Sequence, residues 1–144
     1  MTPLIFVLNG PNLNLLGTRE PDIYGFDTLD DIAARLSERG KELGVALDIR
    51  QSNHEGHLID WLHEAQVKGA RAVIINPGGY SHTSVALRDA VSAIAIPVIE
   101  VHLSDPATRE TFRQTDLVSD VAYQVIKGLG ADGYLLALDA AARL

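Results

Sequence analysis

Residues 4–25 read LIFVLNGPNLNLLGTREPDIYG, a short apolar run that leads into a long loop. Its first five residues are apolar without polar alternation, which predicts a strand buried on both faces. The seventeen residues that follow hold three glycines, two prolines and three asparagines, a composition that excludes a regular helix or strand. Their leucines and prolines favour an ordered loop. Ligands bind at the carboxyl ends of strands in open α/β sheets, so we expect Asn12, Arg19 and Tyr24 to face a ligand.

Length and composition limit the classes of protein to which the chain can belong. Its 144 residues predict one domain, residues 1–144. The absence of cysteine excludes disulfides and thiol chemistry and suits a reducing compartment. A net charge of −7 argues against nucleic-acid and anionic-membrane partners. No segment approaches the ~20 apolar residues of a membrane span, and no signal pattern is present. We expect a cytoplasmic protein.

Beyond the first loop, predicted helices alternate with predicted strands. Apolar residues at helical spacing mark the helices, and short apolar or alternating runs mark the strands. In chain order the predicted elements are a helix from Thr28 to Gly44, a strand at Val45–Arg50, a helix ending at Gly69, a strand at Ala72–Ile75, a helix at Ser84–Ala93, a strand at Pro97–Leu103, a short helical piece at Thr108–Arg113 and a last helix after Gly130.

This alternation predicts a parallel sheet with helices on both faces. We expect a flavodoxin-like, three-layer α/β sandwich with a five-stranded sheet of order 2-1-3-4-5, which brings the loops after strands one and three together. One segment stays open: the β-branched content of Val121–Ile126 favours a fifth strand, and a helix is the alternative.

Polar side chains follow several strands at the same predicted edge of the sheet. Glu100 and His102 are two residues apart on one strand, so their side chains point to the same face. Loop amides, including those of Leu103 and Ser104, could bind an anion. The pattern indicates an anionic small-molecule site with a general acid and base. The converging candidates are Asn12, Arg19, Tyr24, Asn76, His82, Glu100, His102 and Arg113.

Other site chemistries lack support in the sequence. His82 and His102 have no convincing third metal ligand, and neither a Walker loop nor GxGxxG is present. Ser81 lacks the nucleophile-elbow context. Structural interpretations stand beside the functional ones: Tyr24 as an ordinary loop residue, Glu100 and His102 as a satisfied polar pair, and Asp89 as a solvated charge on a helix.

Several segments together resemble the type II 3-dehydroquinate dehydratases. The resemblance covers nearly the whole chain, in order and with consistent spacing. The segments that carry it are Leu8–Gly17, Arg19–Gly25, Gln51–Gly56, Ile75–Asp89, Val98–Ser104 and Gly128–Leu138. The resemblance implies a hydro-lyase of the shikimate pathway with a flavodoxin-like fold, which converts 3-dehydroquinate to 3-dehydroshikimate without a metal or cofactor.

The resemblance also implies a role for each site residue. Tyr24 would remove a proton from the carbon next to the ketone, with Arg19 beside it on a lid. Asn12 would orient a water that stabilises the enolate. His102 would protonate the departing hydroxyl, with Glu100 as its partner. The substrate's hydroxyls and carboxylate would be held by Asn76, His82, the Leu103–Ser104 backbone and Arg113.

The family's assembly and its usual sequence pattern lead to further expectations. The family forms trimers that pack into a dodecamer, and Asp89 is expected to reach a neighbouring subunit's site. Gly79 stands where alanine is expected, and Thr115-Asp116 replaces a serine-containing pair. The acidic Asp105 and Asp116 could weaken the hold of Arg113 on a carboxylate.

Two rival functions remain. One is a flavodoxin-like protein that binds a phosphate or nucleotide ligand. The other is a non-catalytic binding or assembly protein that kept the fold, against which the joint presence of Arg19, Tyr24 and His102 argues.

Overall fold

The computed structural model describes residues 1–18, 20–105 and 108–144, and strands alternate with helices along this part of the chain. The strands are β1 (Leu4–Asn9), β2 (Ala46–Gln51), β3 (Ala72–Asn76), β4 (Val98–His102) and β5 (Gln124–Lys127). The α-helices are α1 (Pro21–Tyr24), α2 (Leu29–Leu43), α3 (Glu55–Val67), α4 (Val85–Ala93) and α5 (Asp132–Ala142). Short 3-10 turns lie at Leu13–Leu15, Gly78–His82 and Thr111–Gln114.

Local sequence explains the bounds of α2. The side chain of Thr28 accepts a hydrogen bond from the amide of Asp31, and the carboxylate of Asp31 accepts one from the amide of Thr28, which completes a capping box. Gly44 ends the helix in the left-handed conformation, with φ of 72°. The predicted helix from Thr28 to Gly44 is therefore confirmed.

The five strands seen in the described residues form one parallel sheet of order β2-β1-β3-β4-β5, as predicted. Alternate residues of β1 point to opposite faces, so Ile5 and Val7 enter one apolar core and Phe6 and Leu8 enter the other. Helices α2 and α5 cover the first face, and α3 and α4 cover the second. This is the predicted three-layer, flavodoxin-like sandwich.

The loops after β1 and β3 meet at close range. A Cβ atom on Gly10 would lie 2.7 Å from the carbonyl oxygen of Pro77, so only glycine fits there. On the opposite side of the contact, Gly78 has φ of 58° and packs against Pro11. This contact fixes the two loops that carry most of the predicted site.

The open segment Val121–Ile126 is resolved in favour of a strand, although its first residues form a turn. The amides of Val121 and Ala122 donate to the carbonyl of Val118, and β5 begins at Gln124. The predicted helical piece Thr108–Arg113 overlaps a 3-10 turn that spans Thr111–Gln114. In the described part of the chain, no helix has the length and apolar character that a membrane crossing requires.

Candidate active site

A cleft of about 180 Å³ opens at the carboxyl ends of β1, β3 and β4, where the sequence places its polar groups. Most of the predicted residues line it, and a charged residue that was not predicted, Arg109, lines it as well. The lining residues whose side-chain or backbone polar groups could contact a ligand are Asn12, Tyr24, Asn76, His82, His102, Leu103, Ser104, Arg109 and Arg113.

Tyr24 lies at the end of α1 and contacts an arginine from the loop after β4. Nη1 of Arg109 donates a hydrogen bond of 2.7 Å to the phenolic oxygen of Tyr24, and the guanidinium carbon lies 5.1 Å from the ring centre. Nη2 of Arg109 lies 3.8 Å from the carboxylate of Glu20. The hydrogen bond holds the phenolic oxygen of Tyr24 in the cleft, next to a cation.

The loop after β1 presents Asn12 in a left-handed conformation, with φ of 68°, which asparagine tolerates better than most residues. The amide of Asn12 donates to the side-chain oxygen of Asn53 over 2.9 Å, which ties this loop to the loop after β2. Arg19, the predicted lid arginine, lies outside the described residues.

Asn76 is oriented by a buried network. Its Nδ2 donates to the phenolic oxygen of Tyr134 over 3.0 Å, and that hydroxyl donates to Oδ1 of Asn9 over 2.7 Å. Oδ1 of Asn76 accepts from the amide of Gly78. All three side chains are buried, so the network fixes the Asn76 amide at the cleft floor.

His82 lies in the 3-10 turn after β3, Arg113 lies in the 3-10 turn Thr111–Gln114 after β4, and both line the cleft. Nδ1 of His82 donates to the carbonyl of Thr115 over 2.7 Å, because a carbonyl can only accept, and Nε2 remains for a ligand. Arg113 is hydrogen-bonded to Glu110 through Nε. Asp116 turns to His102 instead of Arg113. The expectation that Asp116 weakens the hold of Arg113 on a carboxylate stays a prediction, because a charge acts beyond the range of a direct contact.

His102 ends β4 with Glu100 behind it. Nε2 of His102 is hydrogen-bonded to Oε2 of Glu100, and Oδ2 of Asp116 lies 3.6 Å from the same nitrogen. Glu100 has no exposed surface and does not line the cleft. Since Nε2 is engaged, Nδ1 is the ring nitrogen left for a group in the cleft.

Burial and charge shift the pKa values of these three groups in different directions. Burial raises the pKa of Glu100 to about 7, against the hydrogen bond from His102. Burial disfavours the imidazolium, but the adjacent carboxylates of Asp116 and Glu100 outweigh it and raise the pKa of His102 to about 9. Burial opposes ionisation of Asp116, yet the neighbouring imidazole of His102 and the hydrogen bond from the amide of Val118 hold its pKa well below the usual range. The arrangement can hold a proton on His102 at neutral pH.

The ligating atoms of Glu100, His102 and Asp116 lie within 4.8 Å of one another, a spacing also found in cation sites. Here Nε2 of His102 is hydrogen-bonded to Glu100, so these two side chains share a proton. Asp89 lies on α4, exposed, and does not line the cleft of its own chain.

Sequence reasoning missed three residues of this site: Arg109, Asp116 as a neighbour of His102, and Tyr134. Arg109 had a usable signal, because it is four residues before Arg113 in a segment expected to be helical, where such residues share a face. Tyr134 reads as an apolar position of α5, and its contact with Asn76 spans 58 residues. No local pattern indicates such a contact.

Comparisons with known proteins agree on one family. The family model described as dehydroquinase class II matches residues 3–142. The 3-dehydroquinate dehydratase of Phenylobacterium zucineum is 58% identical over 144 residues, which are 100% of this chain and 99% of that protein. The crystal structure of type II dehydroquinase from Propionibacterium acnes has a TM-score of 0.95 at 46% identity, covering 100% of this chain and 99% of that one. The enzyme from Butyrivibrio crossotus also has a TM-score of 0.95, at 40% identity and 97% coverage of both chains.

Proposed function

This chain belongs to the dehydroquinase class II family, and on that premise we propose that it eliminates water from 3-dehydroquinate to give 3-dehydroshikimate in the shikimate pathway. The reaction is an anti elimination through an enolate, carried out by one catalytic domain of residues 1–144 without a metal or cofactor. The observation that carries the proposal is that Tyr24 and His102 line the same cleft, each with a charged partner. Tyr24 accepts a hydrogen bond from Arg109, and His102 is hydrogen-bonded to Glu100.

Tyr24 is the base in this mechanism. An unperturbed phenol, with a pKa of about 10, is a poor base at neutral pH, so its placement against the reacting carbon matters. The guanidinium of Arg109 donates a hydrogen bond to the phenolic oxygen and holds it in the cleft. Arg19, which the resemblance places on the lid, would add a second cation and close over the substrate, excluding water.

The forming enolate needs hydrogen-bond donors, and the departing hydroxyl needs a proton donor. A proton next to a ketone is acidic only when the forming enolate is stabilised by placed donors, a role we give to a water oriented by Asn12. His102, protonated and backed by Glu100, donates a proton from Nδ1 to the departing hydroxyl, which leaves as water. The proton taken by Tyr24 and the one given by His102 balance the reaction.

Substrate binding uses the remaining cleft residues. Asn76 offers a fixed amide, His82 offers Nε2, and the backbone of Leu103 and Ser104 offers N–H groups to the substrate's hydroxyls and carboxylate. Arg113 supplies a positive charge for the carboxylate, and its pairing with Glu110 orients the guanidinium.

Assembly belongs to the same proposal. Asp89 is exposed on α4 outside its own cleft, a position that suits a residue serving a neighbouring subunit in a dodecamer of four trimers. Full activity in an isolated monomer or trimer would remove that role. For location we propose the cytoplasm, whose reducing conditions suit a chain without cysteine.

The test is ultraviolet absorbance after mixing purified protein with 3-dehydroquinate, with and without a chelator. The product holds a conjugated enone that the substrate lacks, so turnover raises the absorbance, and we expect the rise to resist the chelator. Tyr24→Phe is the matched control and should give a flat trace. A flat trace from folded, oligomeric native protein would refute the activity and favour a non-catalytic binding protein.

A further inference from the structure

The imidazole of His102 has two carboxylates at one nitrogen. Nε2 is hydrogen-bonded to Glu100 and lies 3.6 Å from Oδ2 of Asp116, while the ring itself lines the cleft. To donate from Nδ1 while Nε2 faces carboxylates, the ring must carry protons on both nitrogens. A protonated ring this buried needs a negative charge that persists beside it.

The two carboxylates differ in their ability to remain charged. Glu100 is 0% exposed, and within the described residues its Oε1 has no hydrogen-bond partner, so ionisation there is costly. The side chain of Asp116 is 22% exposed, and its Oδ1 accepts hydrogen bonds from the amides of Val118 and Ser119 at 2.9 and 3.1 Å. Backbone N–H groups aimed at a carboxylate favour its ionised form.

We propose that Asp116 is a positioning residue for His102: it is the permanent negative charge that keeps the imidazole protonated and turned with Nδ1 toward the cleft. The inference rests on the proposed dehydration, in which His102 is the acid. The direction of the pKa shifts agrees, since Asp116 stays ionised where Glu100 begins to take up a proton.

Other charged and titratable groups also surround the ring. Glu100 and Asp116 face Nε2, and the remaining groups lie across or along the cleft. Those cleft groups are Tyr24, His82, Arg109 and Arg113. Arg109 and Arg113 are cations, and both disfavour a proton on His102. A fixed anion at Nε2 is needed to offset them.

The direct test measures the pKa of His102 by NMR of ring nitrogens in native protein and in Asp116→Asn, with His102→Asn to assign the signal. Asparagine keeps the shape of the side chain and an oxygen for the two backbone amides but removes the charge. We expect the pKa of His102 to fall by about one unit or more. The control is Asp120→Asn, which removes a more exposed carboxylate from the same segment and should leave that pKa unchanged. An unchanged pKa in Asp116→Asn overturns the proposal.

The kinetic test follows the rate with pH. In Asp116→Asn the alkaline limb of kcat should move to lower pH. For a fall of one unit from about 9, we expect kcat to be about threefold lower near pH 8.5 and near-native near pH 6, because the protonated fraction at pH 8.5 falls from about three quarters to about one quarter. Equal loss at every pH would show a merely structural role and overturn the proposal. Asp116→Ser, whose hydroxyl can still accept an amide hydrogen bond, replaces the asparagine variant if that variant folds poorly. The NMR measurement needs no turnover, so it decides the role of Asp116 even if the proposed activity fails.

Discussion

Arg109 donates a hydrogen bond from Nη1 to the phenolic oxygen of Tyr24 over 2.7 Å, across 85 positions of sequence. The same guanidinium lies near the carboxylate of Glu20, which leads into α1. One arginine therefore ties the loop after β4 to the loop after β1 and also charges the environment of the proposed base. This pair fixes the position of the phenolic oxygen in the cleft.

Removing the cation of Arg109 should slow the chemical step more than it weakens substrate binding. For Arg109→Met we expect kcat to fall about 10- to 100-fold, because a hydrogen bond to a charged group contributes about 1.5–3 kcal/mol. Steady-state kinetics, with kcat and KM determined separately, measure this effect.

The matched control for that change is Arg35→Met, which breaks only exposed ion pairs with Asp27 and Asp132 and should leave kcat unchanged. If Arg109→Met raises KM alone, Arg109 binds substrate and does not activate Tyr24.

Tyr24→Phe should abolish turnover while it leaves binding of a substrate-like carboxylate nearly unchanged. The phenylalanine ring keeps the packing of α1 but cannot accept a proton. Calorimetric binding of quinate alongside the absorbance assay separates the two effects. A near-normal rate in Tyr24→Phe would show that another group is the base.

Tyr134→Phe should reduce the free energy of unfolding by about 1–3 kcal/mol, because Asn9 and Asn76 each lose a buried hydrogen-bond partner. KM should rise as well, since the amide of Asn76 loses its orientation. Urea denaturation measures the first effect. Tyr123→Phe is the control: that tyrosine is 62% exposed, and its substitution should change stability by less than about 0.5 kcal/mol. An equal loss of unfolding free energy in both variants would show that the buried network does not stabilise the fold.

Gly10→Ala should destabilise the fold by about 1–3 kcal/mol, because the added Cβ would lie 2.7 Å from the carbonyl oxygen of Pro77 and force the two loops apart. Gly79→Ala is the control in the neighbouring loop. A Cβ there meets no heavy atom within 4 Å, so alanine should be neutral or stabilise by up to about 1 kcal/mol. Thermal unfolding of both variants checks this, and tolerance of Gly10→Ala would contradict the close approach.

Stability should fall as pH rises from 6 to 9. The pKa of His102 is raised from 6.5 to about 9 and that of Glu100 from 4.5 to about 7, so the folded state binds more protons than the unfolded state in this window. The stabilisation is complete below the pKa values that the two groups have in the unfolded chain. It is lost as pH rises through their pKa values in the folded state. We expect a loss of about 2–4 kcal/mol, measured by urea midpoints at each pH.

His102→Asn provides the control for this slope, because it removes the histidine contribution between pH 6.5 and 9 and should flatten the decline there. A decline as steep as in the native protein would assign the pH dependence to other groups.

By itself, the sequence determined the layers, the strand order and most of the cleft. Apolar runs, helical spacing and turn residues are local signals, and right-handed crossovers leave few ways to arrange them. Side chains at strand ends then converge by topology, which is why Asn12, Tyr24, Asn76, His82 and His102 meet as expected.

Only the tertiary structure decided which groups those side chains touch. Arg109 reaches Tyr24, Tyr134 holds Asn76, and Asp116 turns to His102. Each contact joins residues from different elements, and its geometry depends on the path of loops with no repeating pattern. A periodic signal predicts which face of an element is buried, whereas a hydrogen bond between distant residues depends on ångström-scale positions that only the packed chain sets.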